Sequence, residues 1–101
     1  RVRKEITRLM LGRSPRLVDV ADKLHVSPRQ LQRKLAQEDT TFEEIVAEIR
    51  QHLSTTYLAK DSHSLSEISF LLGYSSQSNF TRAFRQWFGV TPMEYRRSSP
   101  G

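Results

Sequence analysis

The sequence predicts an all-α fold of seven helices, and three observations support this prediction. Apolar residues recur every three or four positions, and no stretch alternates with the two-residue period of a strand. Four pairs of a Ser or Thr with a Glu or Gln three residues later mark helix starts as capping boxes. The 101 residues suffice for one hydrophobic core, so we expect one domain over 1–101. The boxes are Ser27 with Gln30, Thr41 with Glu44, Ser64 with Glu67, and Thr91 with Glu94.

The first three helices are short and have one apolar face each. The spacing of apolar residues predicts helices over 2–11 and 17–24. A third helix, 28–36, follows the Ser27 cap and has Pro28 at its first position, where a missing N–H is tolerated. Their apolar positions are Val2, Ile6, Leu9 and Met10, then Leu17, Val20, Ala21 and Leu24, then Leu31 and Leu35.

A long helix opens the second half of the chain. Its apolar spacing continues from Phe42 to Tyr57, so we predict a helix over 42–59 that acts as a rigid spacer. Three shorter helices are predicted after it, at 65–72, 77–88 and 92–96. Their apolar positions are Leu65, Ile68, Leu71 and Leu72, then Phe80, Phe84, Trp87 and Phe88, with Tyr95 expected to pack on these aromatic rings in the core.

One pattern of two helices and a turn occurs twice. Residues 17–27 align with 65–75 at a constant offset, and the positions after the turn align with one extra residue in the second copy. In each copy an apolar helix ends at a turn and a polar-faced helix with an outward arginine follows, as in a helix-turn-helix. We therefore predict helix-turn-helix units at about 17–36 and 65–88, joined by the long helix.

The charge distribution favours a polyanionic partner. Sixteen Lys and Arg against eleven Asp and Glu give a net charge of +5. The excess is uneven, since 1–16 is strongly basic and 38–50 is acidic. The basic N-terminal cluster has two open interpretations, a contact with phosphate or the end of a linker to another domain.

Several function classes find no support in the sequence. It has no cysteine, which excludes disulfides and thiolate metal sites and is compatible with a reducing compartment, so we expect a cytoplasmic protein. Apolar runs are far shorter than the roughly 20 residues of a membrane span, so no membrane association is expected. The three histidines are isolated, and the sequence contains neither a Gly-rich phosphate loop nor a nucleophile elbow. We expect no metal, no cofactor and no enzymatic activity.

In a helix-turn-helix the second helix enters the major groove with its early, outward side chains at the base edges. In the first unit the predicted base contacts are Arg29, Gln32 and Arg33, with Gln30 used in the capping box and Lys34 placed for phosphate. In the second unit, Gln77, Ser78 and Arg82 are predicted to contact bases, and Asn79 and Thr81 to contact either bases or the sugar-phosphate backbone.

Further cations are candidates for phosphate contacts, which add affinity without sequence information. They are Arg85, Arg96 and Arg97, any of which is equally compatible with a solvated position. A polar face on one helix alone is equally well explained as ordinary protein surface. Two polar-faced helices at matching positions of an internal repeat favour DNA recognition. The alternative from another class is a helical protein-interaction module with a basic face and only non-specific DNA affinity.

The second unit resembles the DNA-binding domain of the AraC/XylS transcription regulators, and the first unit fits the more variable half of that domain. The motifs that carry the resemblance are Leu72-Gly73-Tyr74-Ser75, Ser78-Asn79-Phe80, Arg82-Ala83-Phe84, Trp87-Phe88-Gly89-Val90-Thr91-Pro92 and Tyr95-Arg96. The sequence departs from the usual pattern at Ser69, where alanine is common, and at Leu35, where an aromatic residue is common.

The resemblance implies two homeodomain-like helix-turn-helix subdomains in one protomer, binding successive major-groove segments on one face of double-stranded DNA. The residues predicted above match base-contacting positions of that family. It also implies a bacterial activator that recruits RNA polymerase. The chain starts at Arg1 without a methionine, so we expect an N-terminal effector-binding or dimerisation domain to be missing from this fragment.

Overall fold

The computed structural model describes residues 1–60 and 62–98, and these form seven α-helices and no strand. The predicted all-α fold is therefore confirmed, and each helix boundary lies within about two residues of its predicted position. The helices are α1 Val2–Leu9, α2 Leu17–Lys23, α3 Pro28–Gln37, α4 Phe42–Leu58, α5 Leu65–Leu71, α6 Gln77–Phe88 and α7 Pro92–Ser98.

The four predicted capping boxes all form. In each box the Ser or Thr side chain accepts a hydrogen bond from the backbone N–H three residues on, and the Glu or Gln side chain accepts one from the backbone N–H of the cap residue. These bonds satisfy N–H groups that a helix start otherwise leaves without partners. The helix α6 begins differently, with the Ser76 side chain accepting from the Asn79 backbone N–H at 3.1 Å. It ends at Gly89, which has a φ of 78°.

One continuous core connects the two helix-turn-helix subdomains. In the first subdomain α2 packs on α3, in the second α5 packs on α6, and α4 joins them and contacts α1, α5 and α7. The 17 residues of α4 give a rod of about 25 Å. The core residues with 0% exposure include Ile6, Met10, Val20, Ala21, Ile68, Leu72, Phe80 and Phe84.

The aromatic cluster is buried as predicted at Phe80 and Phe84, and Tyr95 packs with its ring centroid 5.6 Å from that of Phe84. Phe88 differs from the prediction because it remains 40% exposed, although its ring lies 4.6 Å from that of Phe84. Phe88 is the last residue of α6, where the helix leaves the core.

The turns of the two units have the same backbone conformation although their residues differ. Gly73, in the turn after α5, has a φ of 81°, and His25, at the aligned position after α2, has a φ of 59°. This left-handed region costs an ordinary residue about 1–2 kcal/mol and costs glycine little. The first turn therefore adopts with a histidine the conformation that the second achieves with a glycine.

Candidate nucleic-acid interface

The predicted base-contacting residues of the first unit lie together on the exposed face of α3. Arg29, Gln32 and Arg33 are all exposed, whereas Leu31 and Leu35 on the opposite face are 2% exposed and anchor the helix to the core. Gln30 is held in the capping box, as predicted, with its side-chain oxygen 2.8 Å from the Ser27 nitrogen. The face that α3 presents to solvent therefore carries two guanidinium groups and one amide suited to base edges.

The second unit presents a similar face from α6. Gln77, Ser78 and Arg82 are exposed, Thr81 is half-buried, and these four residues line one shallow depression together with Arg85 and Gln86. The opposite face is anchored by Phe80 and Phe84 in the core. Five of the residues predicted from the sequence thus share one surface at the start and along the outer side of α6.

Asn79 stands apart from its neighbours because its side chain is engaged within the protein. Its Nδ2 donates a hydrogen bond to Ser75 Oγ at 2.7 Å, and its Oδ1 accepts one from Arg82 Nη1 at 3.0 Å. The side chain is half-buried. It therefore links the turn before α6 to the guanidinium of Arg82.

The phosphate candidates fall into two groups. Lys34 near the end of α3, Arg85 near the end of α6, and Arg97 on α7 are exposed, and the Arg97 guanidinium lies 3.5 Å from the Met93 sulfur. Arg96 makes contacts within the protein that the sequence did not predict. Its guanidinium donates to three backbone carbonyl oxygens, those of Leu58 at 3.2 Å, Lys60 at 3.2 Å and His63 at 2.8 Å.

These bonds give Arg96 a structural role at the end of α4, and the phosphate contact predicted for it stays a prediction. Leu58 is the last residue of α4, and Lys60 and His63 belong to the loop that follows. Helix C-termini leave carbonyl groups without partners, and a cation stabilises them. Sequence spacing gave no signal for this arrangement because the three acceptors lie 33 to 38 residues away.

Sequence reasoning also missed Arg50, which lies on α4 between the two units. Its Nε donates to the Leu72 carbonyl oxygen at 2.8 Å, and its guanidinium carbon lies 4.3 Å from the centroid of the Tyr74 ring. The only sign of this role in the sequence was a charged residue on a largely apolar face of α4.

Among residues 1–60 and 62–98, none of the helices has the length and apolar composition of a membrane span.

Two helix-turn-helix subdomains joined by a long helix are typical of DNA-binding proteins, and comparison with known proteins agrees. A family model described as a helix-turn-helix domain matches residues 20–98. The ornithine utilization regulator of Pseudomonas aeruginosa is 40% identical over 96 residues, covering 92% of this chain. The chain spans only 28% of that relative's length.

Solved structures give the same result. The crystal structure of a DNA-binding transcriptional dual regulator from Escherichia coli K-12 superposes with a TM-score of 0.87 at 28% identity, covering 97% of this chain and 87% of that one. A transcriptional regulator with an AraC-type DNA-binding domain from Chromobacterium violaceum has a TM-score of 0.78 at 28% identity, covering 99% and 91%. This chain belongs to the family of AraC-type helix-turn-helix domains of DNA-binding transcription regulators.

Proposed function

We propose that this domain reads double-stranded DNA with both recognition helices, α3 and α6, placed in successive major-groove segments on one face of the duplex. The observation that carries the proposal is the matching presentation of Arg33 on α3 and Arg82 on α6, each exposed opposite a buried apolar face. The described residues extend 43 Å along their longest axis. That length is sufficient to span one helical repeat of DNA, about 34 Å.

The base-reading roles follow from side-chain chemistry. Arginine can donate two hydrogen bonds to guanine O6 and N7, and glutamine can pair with adenine N6 and N7, each pair contributing about 1–3 kcal/mol of discrimination. We assign base contacts in the first unit to Arg29, Gln32 and Arg33. In the second unit we assign them to Gln77, Ser78, Thr81 and Arg82, which line one depression.

Phosphate contacts are assigned to the exposed cations beside these helices. Lys34, Arg85 and Arg97 each present a charge that would release a counterion from the duplex on binding. These residues would add affinity and salt dependence but no preference for a sequence. The proposed basic interface therefore comprises base readers at the helix starts and phosphate contacts further along the helices and on α7.

We further propose that the protein is a bacterial, cytoplasmic activator that recruits RNA polymerase to a promoter. The resemblance to AraC/XylS regulators supports this role. The chain spans about a quarter of the length of the curated relatives it matches. By the same resemblance, we propose a further domain, N-terminal to this one, that binds an effector or dimerises.

Selection from a random duplex pool of about 20 base pairs tests the proposal. Near physiological salt, two enriched sequence blocks about one helical turn apart are expected. The Arg33→Ala variant should weaken the sequence preference in one block, and Arg82→Ala should weaken it in the other. This result would assign each block to one recognition helix. A single block would restrict sequence reading to one unit, and weak binding without any enrichment would favour the protein-interaction module instead.

A further inference from the structure

The two helix-turn-helix units meet at a joint in which backbone touches backbone. The Gly12 N–H, in the loop after α1, donates a hydrogen bond to the Phe70 carbonyl oxygen at 3.0 Å. A Cβ atom at Gly73 would lie 2.7 Å from the Met10 carbonyl oxygen and closer still to that of Arg13. The loop before α2 therefore packs directly against the turn before α6, with no side chain between them.

The guanidinium of Arg50 lies across this joint. Besides its bond to Leu72, its Nη2 donates to the Gly73 carbonyl oxygen at 3.3 Å and to Ser14 Oγ at 3.1 Å. Ser14 Oγ in turn donates to the Gly73 carbonyl oxygen at 3.4 Å. One side chain from the spacer helix thus contacts the segment that leads into α2 and the segment that leads into α6.

The chemistry of this contact requires arginine. The planar guanidinium group of arginine donates hydrogen bonds in several fixed directions and stacks on an aromatic ring. The ammonium group of lysine is a compact charge without that geometry. The acceptors on Leu72 and Gly73 follow the end of α5, where carbonyl groups lack helical partners. Burial lowers the pKa of Arg50, and burial also raises the pKa of Tyr74, an effect that the nearby guanidinium opposes. The guanidinium remains charged at neutral pH.

We infer that Arg50 is a positioning residue that fixes α6 relative to α3 and thereby sets the distance between the two DNA segments that the domain reads. The inference about DNA spacing rests on the proposed function, whereas the inference about helix positions does not. Arg50 itself belongs to neither recognition helix. Its effect on DNA binding would be exerted through α6.

The distance between the recognition helices can be measured directly because the sequence has no native cysteine. Spin labels at Gln37→Cys and Gln86→Cys, both exposed positions at the ends of α3 and α6, report this distance by double electron–electron resonance. With Arg50 unchanged, the distances between the two spin labels should form one narrow distribution. Arg50→Met and Arg50→Lys should broaden or shift it, and Lys4→Met, an exposed cation on α1, should leave it unchanged.

A wild-type distribution in both Arg50 variants would overturn the inference. If Arg50→Met melts at a much lower temperature, Arg50→Lys becomes the test variant, because lysine keeps the charge and the apolar stem but lacks the planar guanidinium group. A narrow, wild-type distance distribution in folded Arg50→Lys would then show that the guanidinium group does not set the distance between α3 and α6.

The consequence for DNA is tested with the duplex that the wild-type domain selects, and with duplexes in which one or two base pairs are added between its two blocks. Wild type should prefer the selected spacing, and the Arg50 variants should lose about tenfold in that preference while binding each block alone normally. Retained spacing preference would overturn the DNA part of the inference. If wild type selects no second block, the proposed function fails, and the spin-label distances still decide whether Arg50 positions α6.

Discussion

The Nη1 atom of Arg82 donates a 3.0 Å hydrogen bond to Oδ1 of Asn79, whose Nδ2 is bonded to Ser75. This chain of bonds anchors a long, exposed side chain to the turn that precedes the recognition helix. A preorganised arginine loses less side-chain freedom when it binds a base than a mobile one does. The finding favours an indirect role for Asn79, through Arg82, over direct contact with DNA.

We predict that Asn79→Ala weakens binding to the selected duplex by about 1 kcal/mol and that this loss disappears in an Arg82→Ala background. A double-mutant cycle measured by fluorescence anisotropy checks this. Thr81→Ala, on the same face, serves as a control whose effect should add to that of Arg82→Ala if the two residues act separately. Additive losses for Asn79 and Arg82 would rule out the positioning role.

Arg33 and Lys34 are neighbours on α3 with different expected functions, so they form a matched pair. Arg33→Ala should weaken the selected site by about 1–3 kcal/mol and random DNA much less, because a base contact is lost. Lys34→Ala should weaken both by similar amounts and reduce the salt slope by about 1. Titrations of both duplexes at several salt concentrations check the prediction, and equal losses on the two duplexes for Arg33→Ala would refute its role as a base reader.

Arg96 and Arg97 form a second pair with opposite expected effects. Arg96→Met should lower the free energy of unfolding by about 1–3 kcal/mol, because three backbone carbonyl groups lose a charged donor. Arg97→Met should change it by less than about 0.5 kcal/mol, as is usual for an exposed residue. Urea unfolding measures both. The salt slope of DNA binding should change only for Arg97→Met, and a change for Arg96→Met instead would support a phosphate contact by Arg96.

Two capping boxes predict a pH dependence of stability. The backbone N–H groups of Ser64 and Thr91 donate to Glu67 and Glu94, and these bonds lower the pKa of both carboxyl groups below the ordinary 4.5. Because the folded pKa is lowered, the stabilisation is present above pH 4.5 and is lost as pH falls through the folded pKa values.

The double variant Glu67→Gln and Glu94→Gln keeps the hydrogen-bond acceptors but cannot titrate. Its free energy of unfolding should therefore fall less steeply below pH 4.5 than that of wild type. Urea unfolding at a series of pH values provides the measurement. Identical acid slopes for wild type and the double variant would contradict the prediction.

Local signals were sufficient to predict the helices. Capping boxes and apolar spacing act within a few residues of each other, so Ser27 with Gln30 marks the start of α3 without knowledge of the fold. The exposed face of α3 could be predicted for the same reason, since Leu31 and Leu35 leave only one side for Arg29 and Arg33.

Long-range contacts carried no such signal. Arg96 and Arg50 bond to carbonyl groups more than twenty residues away, and backbone acceptors have no residue-type signature in a sequence. The strained turn at His25 is an intermediate case. Its alignment with Gly73 in the repeat held the clue, because a position that requires glycine in one copy imposes the same backbone in the other.

The proposed function has one protomer reading two successive major grooves through α3 and α6. Hydroxyl-radical footprinting of the selected duplex, performed on a complex shown by sedimentation to contain one protein chain, tests it most directly. We predict two protected clusters on the same face of the DNA, with centres about 10 base pairs apart. A single protected cluster in the one-chain complex, or a second cluster that appears only when a second chain binds, would show that one protomer does not read two grooves.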